Sequence, residues 1–346
     1  MGTRRQSAFW LNLLALAAVA LSAALVVTGN ADTGNSNQIL NVSYDSTREL
    51  FQELNQQFTA KYLKETGRKW GIQQSHGGSS RQARAVVDGL RADLVTLGLF
   101  PDVDLLRRRG LIAEGWSQRL PNDSRPFTST IVFVVRKGNP KHIRDWPDLI
   151  GRDVSVITPN PKTSGNGKLS VLAAWGQVIR RGGTEAQARD YLVRLYRNVP
   201  VLGSGSRDAT ATFAYDNVGD VHLTWESEAL FETEASGGEL EIVYPPVSIL
   251  AEPAVALVDA NVAGTRKESF TKAYLRYLFT DQAQEVIARH GYRPVNAEVL
   301  RRYSHRFPAI DLFPATLLGK DWNEIGLKFF ADNGILDSIP LERAAS

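Results

Sequence analysis

The chain has 346 residues, of which 43% are hydrophobic and 22% charged, a composition ordinary for a globular protein with room for two domains. Its 40 basic and 37 acidic residues nearly balance, which argues against a nucleic-acid partner because such a partner needs a concentrated basic surface. The chain contains no cysteine, which excludes disulfide bonds and anchoring through a lipidated cysteine.

The N-terminal segment predicts export. Arg4 and Arg5 precede an apolar run over residues 8–27, and small or polar residues follow. This order is typical of a secretory signal peptide, which we assign to residues 1–31. The apolar run is nearly long enough to span a bilayer, so an uncleaved membrane anchor stays open. Two of the 40 basic residues lie in this segment, which leaves 38 against 37 acidic residues elsewhere.

Two strand–helix units are predicted in the first third of the chain. A strand over residues 39–44 leads into a helix that starts at Asp45, where apolar residues recur at helical spacing. A second strand over residues 71–74 leads through two glycines into a helix that starts at Ser79. Residues 94–99 form a further apolar strand.

The same order of strand, loop and helix is predicted twice in the middle of the chain. A strand over residues 154–157 is followed by a loop over residues 158–167 and an apolar helix over residues 169–179. A strand over residues 199–202 leads through glycines and serines into a helix over residues 209–215. Strands that alternate with helices predict α/β layers with mostly parallel sheets.

Two further apolar strands, over residues 129–135 and 253–258, are predicted to connect domains. Two such crossovers mean that the second domain is inserted within the first. We therefore predict lobe I from residues 38–127 together with 256–346, and lobe II from residues 128–255.

Four predicted strands end in small hydroxyl or glycine residues where a helix begins, at Asp45, Ser79, residues 164–165 and residues 205–206. Helix N-termini carry unpaired N–H groups and partial positive charge, which suits them to anions. One such start on its own is ordinary helix capping. Four of them, two in each predicted lobe, could surround one small anion at the carboxyl edges of the sheets.

Other chemistries fit less well. Lys162 and Leu169 stand where a phosphate loop needs glycine and a hydroxyl, and Asp208 stands where a dinucleotide fingerprint needs its third glycine. The five histidines lack metal-ligand spacing, and His76 is expected to be structural. No general acid pairs with a base. We therefore expect a protein that is not an enzyme and needs neither metal nor cofactor.

Trp225 follows a predicted strand over residues 221–224. A tryptophan in this place is commonly a packing residue. Its indole N–H can also donate a hydrogen bond to an anion without bringing a charge. The residue pattern leaves both roles open.

Six motifs resemble periplasmic sulfate-binding proteins, in the same order and at nearly the same spacing. They cover residues 41–45, 74–79, 129–140, 158–165, 225–229 and 249–253. The resemblance implies an α/β, two-lobed periplasmic solute-binding protein fold (type II) with the ligand in the inter-lobe cleft. It also implies a monomer in the periplasm that serves an ABC importer, made of membrane permease subunits with an ATPase.

The resemblance further implies an anion site made of uncharged donors. The implied ligand-binding residues are Asp45, Ser79, Ser164, Gly165, Asn166, Ser206 and Trp225. Asp45 and Ser206 would donate backbone N–H groups, and Trp225 its indole N–H. Asn166 and Ser206 replace the Gly and Ala that the family often has, but backbone contributions do not depend on the side chain.

Sulfate is the expected ligand, because it is fully ionised at neutral pH and only accepts hydrogen bonds. Phosphate keeps at least one proton at neutral pH. In a pocket that is lined only by donors, this O–H group finds no acceptor. We therefore expect the Asp45 carboxylate to cap its own helix and not to face the ligand. Thiosulfate and molybdate stay open as ligands. Alternatives of other classes are an exported hydrolase of sulfate or phosphate esters and a membrane-tethered binding protein that acts as a sensor.

Overall fold

The computed structural model describes residues 37–339 and residue 341. The predicted signal peptide over residues 1–31 lies outside the described residues, so its removal stays a prediction. Among the residues that are described, no helix is both long enough and apolar enough to cross a membrane. The chain from Ile39 onward clusters as one unit.

Strands and helices alternate along the described residues, as the sequence predicts. The strands are β1 (Gln38–Tyr44), β2 (Gly71–Gly77), β3 (Leu94–Leu97), β4 (Phe127–Arg136), β5 (Val156–Pro159), β6 (Leu202–Gly203), β7 (Val221–Trp225), β8 (Leu240–Val243), β9 (Val247–Ala251), β10 (Ala254–Leu257), β11 (Arg293–Pro294) and β12 (Asp311–Phe313). The helices are α1 (Arg48–Thr66), α2 (Ser79–Val87), α3 (Phe100–Arg108), α4 (Gly165–Arg180), α5 (Glu185–Arg197), α6 (Ser206–Thr210), α7 (Glu226–Ala235), α8 (Asp259–Val262), α9 (Lys267–Tyr277), α10 (Asp281–Arg289), α11 (Ala297–Arg302) and α12 (Trp322–Phe329).

The strands form two mixed sheets. The first has the order β10-β3-β1-β2, and the second has the order β12-β9-β4-β7-β5-β6, with β8 and β11 also paired to β4. Strands β1 and β3 are parallel, as are β5 and β7, but β4 runs antiparallel to β7, β8 and β9, and β10 runs antiparallel to β3. The expectation of mostly parallel sheets is therefore wrong. Strand β10 follows β9 of the second sheet after only two residues, which is possible because an antiparallel neighbour needs no crossover helix.

Strands β4 and β10 are the connecting strands that the sequence predicts. The lobe boundaries stay a prediction. The first sheet uses β1, β2, β3 and β10, and β10 spans the predicted boundary between residues 255 and 256. The C-terminal strands β11 and β12 pair instead with β4 and β9 of the second sheet.

The central strands are buried on both faces. All four residues of β3 are buried, and the five consecutive residues 131–135 of β4, which alternate between its two faces, are at most 1% exposed. Strands that helices cover on both sides read as continuous apolar runs because neither face meets water. The parallel pairs β1–β3 and β5–β7 end side by side, so the loops and helix starts that follow them lie together.

The contact between helix α4 and the C-terminal strand β12 gives a first prediction. A methyl group on Gly176 of α4 would lie 2.2 Å from the Phe313 ring of β12. We expect Gly176→Ala to lower the free energy of unfolding, since overpacking costs about 1–3 kcal/mol and the higher helix propensity of alanine returns only about 1 kcal/mol. Gly326→Ala is the control, because open space surrounds that helical position. It should stabilise by about 0.5–1 kcal/mol. Urea denaturation measures both, and equal effects would contradict the packing.

Candidate functional site

Helix starts follow four strand ends, which confirms the recurrence predicted from the sequence. Asp45 opens a short 3-10 turn that runs into α1, and Ser79 is the first residue of α2. Ser164 is the N-cap of α4, and its hydroxyl accepts from the Gly167 N–H at 3.4 Å. Ser206 is the first residue of α6.

Glycines bring these starts together from the two sheets. A methyl group on Gly165 would lie 3.1 Å from Ser79 Cβ, and one on Gly205 would lie 2.3 Å from Asp45 Oδ2. Side chains at these glycines would hold α4 and α6 away from α2 and the first sheet. The structure therefore gathers predicted site residues of both sheets into one cluster.

Gly78 adds to this close approach. A methyl group on it would lie 2.5 Å from the carbonyl oxygen of Thr163 and 3.0 Å from that of Ser204. The Thr163 hydroxyl in turn donates to the Ser204 carbonyl at 2.8 Å. Three loops, one from the first sheet and two from the second, thus touch through their backbones.

The Asp45 carboxylate turns toward the second sheet. It accepts from the Arg207 N–H at 3.2 Å, at the start of α6. Burial raises the pKa of this carboxyl, and backbone N–H groups together with the Arg207 charge oppose the rise. The expectation that Asp45 caps its own helix is wrong, because the glycine at 205 lets the carboxylate reach the N–H groups of α6.

Asp102, in the first turn of α3, is a site residue that the sequence analysis did not name. Its buried carboxylate accepts from the hydroxyls of Ser79 at 2.6 Å and Ser80 at 2.9 Å. It also lies 3.4 Å from Lys168 Nζ of α4, so this ion pair joins elements of the two sheets. An aspartate in a first turn fits ordinary helix-dipole stabilisation, so the sequence carries no signal that separates it from a surface acid.

Trp225 is buried at the end of β7, beside the cluster. Its indole Nε1 donates to Ser206 Oγ at 3.0 Å, and its ring packs on Tyr44 with centroids 5.5 Å apart. Asn166 uses its side chain within the second sheet, where its amide donates to Thr224 Oγ1 at 3.3 Å. The indole therefore packs in the core and donates to Ser206, and donation to an anion stays a prediction.

His76 belongs to β2 at the edge of the first sheet. Its Nδ1 is 2.8 Å from Ser43 Oγ, and burial, with the Arg48 charge, lowers its pKa to about 4. The ring is therefore neutral at neutral pH. This agrees with the structural role that the sequence suggests.

A buried charge cluster lies beneath α6. Arg207 contacts Glu49 Oε2 at 2.6 Å and Glu228 Oε1 at 3.1 Å, and Thr210 donates to the same Glu228 oxygen at 2.8 Å. Burial raises the pKa of Glu228 to about 7, although the Arg207 charge opposes the rise. The other Glu228 oxygen has no hydrogen-bond partner among the described residues.

Glu228 gives a prediction about pH. The folded protein keeps this proton up to a pH of about 7, whereas an unfolded glutamate loses it near its ordinary pKa of 4.5. The resulting stability is fully present below pH 4.5 and is lost as pH rises toward 7. Relative to Glu228→Gln, the wild type should therefore lose up to about 3 kcal/mol of unfolding free energy across this window. Urea denaturation from pH 4.5 to 8 tests this, and parallel curves for the two proteins would contradict it.

Comparison with known proteins confirms the class of this fold. The family model for bacterial extracellular solute-binding proteins matches residues 39–293. The chain therefore belongs to this family. At 17% identity, the solved structure of a periplasmic thiamin-binding protein superposes with a TM-score of 0.59 over 75% of this chain and 83% of that one, which shows the shared fold.

Several individual proteins of known name are similar to this chain over most of its length. The chain is 45% identical over 323 residues to the thiosulfate-binding protein of Pseudomonas aeruginosa, which covers 92% of this chain and 97% of the relative. It is 47% identical over 304 residues to the sulfate-binding protein of Escherichia coli K12, with 87% and 92% covered. The solved sulfate-binding protein SubI from Mycobacterium tuberculosis H37Rv has a TM-score of 0.77 at 31% identity, with 85% and 99% covered. The resemblance found in the six motifs is thus confirmed.

Proposed function

We propose that this protein captures sulfate between two lobes and delivers it, as an exported monomer in the periplasm, to the membrane permease and ATPase subunits of an ABC importer. Thiosulfate is the second ligand that this site suits, and molybdate stays an alternative. The observation that carries the proposal is the gathering of four helix starts from two sheets. The relatives named for sulfate and thiosulfate support this choice of anion.

The proposed site binds the anion through uncharged hydrogen-bond donors. The first N–H groups of a helix have no partner inside it. In α4 the Gly167 N–H is bonded to Ser164, whereas the N–H groups of Gly165 and Asn166 have no acceptor among residues 37–339. Helix α4 has 16 residues, and the aligned peptide dipoles of such a helix favour negative charge at its start.

Rejection of phosphate follows from how the nearby acceptors are used. The carboxylate of Asp45 already accepts from the Arg207 N–H, and that of Asp102 accepts from Ser79 and Ser80. Both carboxylates are thereby directed at donors of the protein, and the proposed rejection of phosphate requires that they keep this direction when the anion binds. A buried hydroxyl left without a partner costs about 1–3 kcal/mol, which corresponds to roughly tenfold to a hundredfold in affinity.

Binding is favoured over ester hydrolysis by the contacts of the serines. A serine nucleophile needs an adjacent base to take its proton. The Ser79 hydroxyl donates to Asp102, the Ser164 hydroxyl accepts from Gly167, and His76 is bonded to Ser43. Asp102 is the group that could act as a base toward Ser79, but it also accepts from Ser80 and pairs with Lys168, and both contacts make it a weaker base, so we favour binding.

Titration calorimetry of the purified protein with four anions tests the function. We expect heat of binding with sulfate and thiosulfate, and affinity for phosphate at least about tenfold lower than for sulfate. Molybdate reports whether the pocket also accepts a larger tetrahedral anion. Phosphate that binds as tightly as sulfate, or sulfate that does not bind, would refute the proposal.

Because the proposed hydrogen-bond donors come from both sheets, we expect the protein to become more compact when the anion binds. The ligand stabilises the closed form by its differential affinity for it, so small-angle scattering should show a smaller radius of gyration with sulfate than without it. Phosphate at the same concentration serves as the matched control and should leave the radius unaltered. An equal radius in all three samples would contradict a site shared by two lobes.

A further inference from the structure

The C-terminal helix α12 is held firmly by the second sheet and its helices. Strand β12, which precedes it, pairs with β9. Phe329 of α12 is fully buried against Trp175 of α4, with ring centroids 5.2 Å apart. Lys328 of α12 also pairs with Glu185 of α5 at 2.5 Å. A close-packed aromatic pair and an ion pair fix α12 to these helices, so we expect it to move with the second sheet.

Helix α12 also meets α3, which follows strand β3 of the first sheet. A groove of about 540 Å³ lies between the two helices. Its apolar side chains are Phe100 and Pro101 from the start of α3, and Trp322, Leu327 and Phe330 from the C-terminal segment. Protein interiors are close-packed, so a groove of this size marks a contact that is only partly closed.

The two contacts of α12 therefore differ in strength. Where α12 meets α4, both rings are at most 1% exposed, whereas Leu327 is 64% exposed although it lines the groove toward α3. Phe330 is only partly buried. Since buried apolar area sets the strength of such contacts, the contact with α3 is the one that breaks first when the sheets separate.

The groove adjoins the place where the segments of the two sheets already touch. The ring centroid of Phe330 lies 5.6 Å from Lys168 Nζ of α4. The same Nζ pairs with Asp102 of α3 at 3.4 Å. The C-terminal segment thus crosses from the helices of the second sheet to a helix of the first.

We propose, resting on the function proposed above, that residues 322–331 form a strap that the second sheet carries and that closes on α3 when the anion binds. The strap adds a contact between the two lobes that uses none of the predicted anion-binding residues. It stabilises the closed form in the same way whichever anion is bound.

Such a strap sets affinity without setting selectivity. The apparent dissociation constant rises as the fraction of protein in the form that is competent to bind falls. A contact made only in the closed form therefore strengthens the binding of sulfate and of thiosulfate by one common factor. It also slows release, because the lobes must separate before the anion can leave.

Spin labels test which lobe carries the strap. The chain contains no cysteine, so introduced cysteines are the only labelled sites. Glu114→Cys with Asp332→Cys joins the segment after α3 to the end of the strap, and Asp190→Cys with Asp332→Cys joins α5 to it; all three positions are exposed. We expect sulfate to shorten the first distance and to leave the second unaltered. A second distance that changes, or a first distance that does not, would overturn the proposal.

Calorimetry of Leu327→Lys tests what the strap contributes. The change removes an apolar contact and brings a positive charge into a groove that Arg107 and Arg108 of α3 also line. We expect the affinities for sulfate and thiosulfate to fall by an equal factor of about threefold to tenfold. Release of sulfate, measured by stopped flow, should be faster by a similar factor.

Leu317→Lys is the matched control, because this leucine is also exposed and lies in the C-terminal segment but does not line the groove. It should leave both affinities unaltered, and both variants should melt at the wild-type temperature without an anion. Unaltered sulfate affinity in Leu327→Lys, an unequal loss for the two anions, or an equal loss in Leu317→Lys would overturn the strap. Wild-type protein that binds neither anion would instead refute the proposed function.

Discussion

Two buried carboxylates beside the candidate site, Asp45 and Asp102, impose the main constraint on it. A carboxylate that faced a doubly charged anion would repel it, so each must be directed at donors of the protein. Asp45 accepts from the start of α6, and Asp102 accepts from two serines and pairs with Lys168 of α4. Two of the residues that hold these carboxylates, Arg207 and Lys168, thus also join the two sheets.

This arrangement couples selectivity to closure. Lys168 and Arg207 reach from the second sheet to acids that belong to the segments of the first, at Asp102 and Glu49. Under the proposed function, separation of the sheets would break these ion pairs, and the acids would no longer be held away from the anion. We therefore expect selectivity against a protonated anion in the closed arrangement, in which the glycines at 78, 165 and 205 allow backbones to touch.

Local signals in the sequence predict the helix starts, because capping serines and glycines act within a few residues. Helix α4 nevertheless begins at Gly165 and not at residue 169, since the Ser164 cap and close packing outweigh the low helix propensity of the residues Gly165–Asn166–Gly167. Strand β6 is only two residues long, although an apolar run predicts four. That run lies beside a single parallel neighbour, and pairing there ends at Gly203.

The sequence does not predict which distant residues these side chains contact. Asp45 and Arg207 are 162 positions apart, and Asp102 and Lys168 are 66 apart. Contacts at such separations depend on how the sheets are placed, which no local pattern encodes. For the same reason no local pattern predicts that the Trp225 N–H donates to the hydroxyl of Ser206.

A crystal structure of the protein with bound sulfate tests most directly whether uncharged donors hold the anion. We predict that every protein atom within about 3.5 Å of the sulfate oxygens is a backbone N–H, a hydroxyl or another uncharged donor. The carboxylates of Asp45 and Asp102 should keep their bonds to α6 and to the serine hydroxyls. A carboxylate oxygen in contact with the sulfate, or a lysine or arginine that forms an ion pair with it, would contradict the account.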